Sequence, residues 1–231
     1  MLILALDTAS TSGSIAVLRA KKILGVISTA SDETYSSRMF RQLEFLTGEL
    51  KVSLEAFDLF AANAGPGSFT GLRVGLTAVK GWAETYGKPA VGVSGLEAVA
   101  AQSSSECLLL PVLDARRGEV YFGFYVRGAG GLVRRSEDRV ASPEEFLEAL
   151  DAVAKDATVA AVSPDFSALG KFEADFRVRG IRCESVSPVL APVIGRLASA
   201  RAERGEAVDA LALDANYVRR SDAELHWKGR L

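Results

Sequence analysis

Two short apolar runs, 2–6 and 108–113, each stop at an aspartate, Asp7 and Asp114. An apolar run of this length ending on an acid reads as a buried strand. Each is followed by two further strand-like stretches, 14–19 and 23–29 after the first, 120–126 and 132–140 after the second. The chain thus opens twice with an apolar strand, an aspartate and a three-strand meander, a pattern that suggests duplication.

Helical patterns fill the gaps. Met39, Leu43, Leu46 and Leu50 recur at spacings of four, three and four with Phe40 beside them, which predicts a helix to residue 50 capped by Ser36 or Ser37. A strand at 57–62 leads into a glycine turn and a long helix over about 70–86, stopped by Gly87-Lys88-Pro89. A strand at 90–93 and a short helix at 95–102 close this part. The polar run Ser103-Ser104-Ser105-Glu106 marks a boundary between domains 1–103 and 104–231. Beyond the second meander, helices are expected at 143–150 and 188–204, and strands at 159–162 and 182–186. The fold class is α/β.

Composition narrows the function. With 27 Lys and Arg against 29 Asp and Glu, the net charge of −2 offers no overall attraction to nucleic acid or an anionic membrane. Two cysteines, Cys107 and Cys183, do not make a disulfide scaffold and fit a reducing compartment. No apolar run approaches the ~18 residues of a membrane span, and the amino terminus has no cationic leader, so a cytoplasmic protein is expected.

Two stretches could carry chemistry. An acid at a strand end before a hydroxyl-rich turn, Asp7-Thr8, can hold a metal-bound phosphate, and equally can be a plain polar turn. The glycine turn before the long helix, with Gly67 and Ser68, offers backbone N–H groups at a helix start; Ser68 also reads as a simple cap. The helix behind it contains Gly71, Gly75 and Gly81, each costing about 0.8–1 kcal/mol relative to alanine. Gly71, Gly75 and Ala78 share a face, so another backbone can approach closely, either the protein's own or a partner's.

The strings Leu-Ala-Leu-Asp-Thr-Ala-Ser at 4–10 and Gly-Pro-Gly-Ser-Phe-Thr-Gly-Leu-Arg-Val-Gly at 65–75 resemble the TsaB (YeaZ-like) family, as does the segment 216–224. That family is the dimerisation subunit of the bacterial machinery that makes threonylcarbamoyladenosine at position 37 of tRNA. The resemblance implies two actin-like domains of the sugar-kinase, Hsp70 and actin superfamily with ribonuclease H-like sheets, the second domain degenerate and the tail possibly packing back on the first. It implies an inactive paralogue, without cofactor, that pairs with the catalytic subunit TsaD through its first two helices and is joined by the ATPase TsaE. Met39, Leu43, Leu46, Gly71, Gly75 and Ala78 are then the expected partner contacts. Asp7, Thr8, Gly67 and Ser68 are weaker candidates for a nucleotide. Self-association through the same helices is expected for the isolated chain, with tRNA reached only through the complex. The chain reads Tyr35-Ser36 where many relatives carry His-Ser.

The alternative is a nucleotide-dependent enzyme using the Asp7 hairpin and the 65–68 turn. Against it, the second hairpin reads Asp114-Ala115-Arg116-Arg117, bulky where backbone must reach phosphate, and no Gly-Gly turn precedes a helix in the second half. The only histidine, His226, excludes a His-Glu-x-x-His zinc site, and no Gly-x-Ser-x-Gly elbow occurs. The pairs Arg134-Arg135 and Arg219-Arg220 and the group Arg177, Arg179 and Arg182 lack the interleaved aromatics of a base-stacking platform.

Overall fold

A computed structural model describes the chain except residues 11, 32, 129–130, 155–156, 217 and 219–231, and gives only the main chain of residue 154. The first sheet is built from β1 (Leu2–Asp7), β2 (Ser14–Arg19), β3 (Lys22–Ser28), β4 (Leu59–Gly65) and β5 (Ala90–Ser94), in the order β3-β2-β1-β4-β5. β1 pairs antiparallel with β2 and parallel with β4, and β5 continues the parallel side. Helices α1 (Tyr35–Leu50) and α2 (Phe69–Tyr86) cover one face, where Leu2, Leu4 and Leu6 point. Ile3 and Ala5 alternate to the other face, toward α3 (Gly95–Ala100) and α6 (Ala191–Glu203). That two-sided burial is why 2–6 is uninterruptedly apolar.

The second sheet runs β10 (Arg139–Ala141), β7 (Val120–Phe122), β6 (Leu108–Asp114), β11 (Val159–Ser163) and β12 (Arg182–Ser185), with β8 (Tyr125–Gly128) on β6 and β9 (Gly131–Arg134) on β8. Its inner face, with Leu109, Tyr125, Ala160 and Val162, joins the same core as α3 and α6. Its outer face packs Leu110, Val112 and Phe122 under α4 (Pro143–Ala154) and α5 (Glu173–Val178) through Phe146 and Phe176. No helix of the described residues is long and apolar enough to cross a membrane.

Three expectations change. The strand expected at 120–126 is two, β7 and β8. Both pair with β6 in one register, which would place Gly123 opposite Pro111, a residue with no N–H to donate. The N–H of Phe124 instead reaches Ser136 Oγ at 3.0 Å. The strand expected at 132–140 likewise divides into β9 and β10. Helix α6, placed by sequence in the second domain, packs on β1 and β2 of the first sheet, where Gly195 lets it close on Leu18.

Candidate functional site

At the carboxyl end of β1, Asp7 is wholly buried. Its Oδ1 accepts from Asn63 Nδ2 at 2.9 Å and from the Ala9 N–H at 3.1 Å. Its Oδ2 has no hydrogen-bond partner among the described residues. Burial pushes the Asp7 carboxyl above the usual carboxylate range against those two donors. Tyr35, the first residue of α1, brings its hydroxyl against Gly13, where a side chain would collide with it. Burial raises that phenol to about 12, with the Arg38 charge opposing and Asp7 reinforcing the shift.

The glycine turn meets this hairpin directly. The Ser68 N–H donates to Ala9 O at 2.8 Å, Ser68 Oγ accepts from the Gly71 N–H at 3.3 Å, and Thr8 Oγ1 donates to Gly71 O at 2.7 Å. A Cβ on Gly67 would lie 2.6 Å from Ala9 Cβ, one on Gly71 2.0 Å from Thr8 O, and one on Gly75 2.4 Å from Thr8 Oγ1. Asp7, Thr8, Gly67 and Ser68 therefore lie in one region where the hairpin meets the turn, and their contacts are made with Asn63, Ala9 and Gly71 of the same chain. At the helix start, the Ser68 N–H is taken by the carbonyl of Ala9 and the Gly71 N–H by Ser68 Oγ.

The same geometry corrects the expected partner contacts. Gly71 and Gly75 serve the close approach of the protein's own Thr8. Met39, Leu43 and Leu46 are buried beneath α1 on the leucines of β1. A 4-3-4 apolar stripe is the core-facing side of an amphipathic helix, and the sheet below needed that cover. Of the six residues, Gly71 and Ala78 are half-buried and the other four are buried.

What α1 and α2 present outward is different. Phe40 and Phe45 of α1 are 57% and 62% exposed, and Phe69 opens α2 at 36%. Phe40 meets the edge of Trp82 on α2, with ring centroids 6.4 Å apart. Gly81 has open space where a side chain would stand, and Thr77 and Thr85 flank it on the exposed side. Sequence reasoning noted Phe40 only as a neighbour of the stripe and passed over Phe45. Their signal was available, as large aromatics out of phase with the buried face.

The second hairpin, at 114–120, holds Arg116, Arg117 and Gly118 at φ of 64°, 53° and 82°. Asp114 Oδ1 accepts from the Arg116 N–H at 2.9 Å. Between the sheets, a polar cleft of about 390 Å³ is bordered by Ser94, Tyr125, Arg134 and the paired Glu97 and Arg201. Burial raises the Glu97 carboxyl although Arg201 opposes it. The arginines 219–220 and His226 lie outside the described residues.

Paired three-plus-two sheets with helices on their faces, and an aspartate hairpin at the end of the first strand, define an α/β protein of the actin-like class. Component A of the (R)-2-hydroxyglutaryl-CoA dehydratase of Acidaminococcus fermentans has the same fold, with a TM-score of 0.51 at 11% identity over 88% of this chain and 99% of that one. The sequence model of the TsaD family, tRNA N6-adenosine threonylcarbamoyltransferase, matches residues 12–206. The tRNA threonylcarbamoyladenosine biosynthesis protein TsaB of Bacillus subtilis is 32% identical over 151 residues, 65% of this chain and 66% of the relative. A Pseudomonas aeruginosa protein described as similar to the peptidase YeaZ superposes with a TM-score of 0.77 at 26% identity, covering 94% of this chain and 99% of its own. The chain belongs to the TsaB (YeaZ-like) family, within the reach of the TsaD family model. The aligned stretch spans just under two thirds of the B. subtilis relative's length.

Proposed function

We propose that this protein is a non-catalytic subunit in the synthesis of threonylcarbamoyladenosine on tRNA, pairing with a TsaD-like catalytic paralogue through the outward face of α1 and α2. The observation that carries this reading is the exposed Phe40 against Trp82 across α1 and α2, with Phe45 and Phe69 also exposed on these two helices and Gly81 open. Clustered large apolar side chains on a soluble surface mark a place where another surface sits, and aromatics dominate the energetics of such contacts. The inactivity belongs to the same reading. With Ala9 O on the Ser68 N–H and Thr8 on Gly71, the nucleotide-using alternative would have to part the first hairpin from α2. A TsaE-like ATPase would join the pair, tRNA would be met through the assembly in the cytoplasm, and the free chain would self-associate by the same face. The structural units would then be 1–103 with the returning stretch 191–218, and 104–190.

The test is co-purification with a TsaD-like paralogue. Phe40→Asp combined with Gly81→Leu should leave the fold intact, since both positions are open, and lower affinity at least tenfold. Unchanged binding would remove the helix-face assignment. Calorimetry with ATP on the isolated chain addresses the alternative, which requires micromolar affinity and turnover.

A further inference from the structure

Asp138 lies between β9 and β10 in a stretch, Arg-Arg-Ser-Glu-Asp-Arg, that reads as solvated surface. Its side chain is nevertheless fully buried, and both oxygens are filled. Oδ1 accepts from Tyr125 Oη at 2.8 Å and faces Arg134 Nη2 at 3.4 Å. Oδ2 accepts from Ser94 Oγ at 2.7 Å and Asn216 Nδ2 at 3.1 Å. The donors come from three stretches remote in sequence: β8 and β9 of the second sheet, the end of β5 in the first, and the segment that follows α6.

That last segment crosses the first sheet. Val208 and Ala90 exchange backbone hydrogen bonds of 3.0 and 2.8 Å on the free edge of β5, and Leu213 packs over Gly92. The Asn216 N–H then donates to Ala64 O at 2.7 Å. Its carbonyl oxygen sits 2.6 Å from where a Cβ of Gly65 would be, and Gly65 has a φ of 114°, so only glycine fits under it. Gly65 begins the turn whose Ser68 caps α2. A continuous chain of contacts therefore runs from Asp138 through Asn216 to the start of α2.

We propose that Asp138 is a positioning residue: by holding Asn216 against Ala64 and Gly65, it fixes the turn that sets α2, and with it the proposed docking face. This rests on the docking reading above. The physical basis is a fully satisfied buried polar network, whose loss at one member leaves the remaining donors without an acceptor. Asp138 touches neither helix of the docking face, so the effect on binding is transmitted and not direct.

The experiment compares full-length wild type, Asp138→Ala, Asn216→Ala and Leu150→Ala for affinity to a TsaD-like paralogue, with amide hydrogen exchange followed at 64–72. Leu150, on the buried side of α4 in the outer core, serves as the control for stability loss alone. Expected are a fall in affinity of tenfold or more for Asp138→Ala and Asn216→Ala with faster exchange at 64–72, and less than twofold for Leu150→Ala. Asn216→Ala keeps the test open if Asp138→Ala does not fold. Wild-type affinity in both network variants, or an equal loss in Leu150→Ala, overturns the proposal. If Phe40→Asp with Gly81→Leu also binds like wild type, the docking reading is what has failed. Exchange at 64–72 then decides for or against Asp138 as the element fixing the turn.

Discussion

The hairpin after Asp7 and the hairpin after Asp114 begin alike, with an apolar strand and an acid, and end in opposite circumstances. In the first, Gly67, Gly71 and Gly75 let the turn and α2 close on Thr8 and Ala9 of the hairpin, and Asp7 is sealed beneath. In the second, the tip is met by a side chain, with Lys171 donating to the Gly118 carbonyl. Arg116 stands mostly in solvent, in the left-handed region that side chains avoid, and Asp114 is partly exposed. The contrast teaches that two hairpins with the same opening can be finished differently, one packed against its own chain and the other left at the surface with long side chains in the left-handed region.

The largest way to break the comparison is Gly71→Leu. The new side chain would start 2.0 Å from the Thr8 carbonyl, a backbone atom that cannot swing aside. Unfolding in denaturant should show a loss of about 3 kcal/mol or more. A loss under 1 kcal/mol would mean that the hairpin and α2 part easily. Asp7→Asn probes the sealed acid. Its carboxyl holds its proton in the folded chain at pH values where the unfolded chain has released it. The stability tied to this group is full below its ordinary value of 3.8 and declines as pH rises from there toward the raised folded value. The variant should lack that decline and melt higher than wild type at neutral pH, as scanning calorimetry across the acid range would show. The smallest effect belongs to the second hairpin. Arg116→Gly relieves a left-handed side chain at an exposed tip, and denaturation should show a gain of about 0.5–1 kcal/mol. No gain there would remove strain as the distinguishing feature.

How much of this was legible depends on what each signal encodes. Strand β1 was plain because burial on both faces leaves no polar position to blur it. The stripe Met39, Leu43 and Leu46 stated correctly which residues share a face. It could not state what covers that face, and the sheet did. The same holds for Gly71 and Gly75, whose smoothness announced a near neighbour without naming Thr8. The break between β7 and β8 had a local cause in Pro111, hidden because the residues around it are as apolar as a continuous strand. Helix α5 is only six residues long, too short for a period to emerge. Asp138 carried no signal at all, since its burial arises from stretches far apart in the chain.

The packing of α6 on the first sheet has a consequence for synthesis. Ile3, Ala5, Ala16 and Leu18 form an apolar surface that Ile194 and Ala198 help to cover. Those residues follow the strands they cover by most of two sheets' worth of chain, and emerge from the ribosome long after them. Until then the earliest strands hold an uncovered apolar side, the kind of transient exposure that favours association with other apolar surfaces.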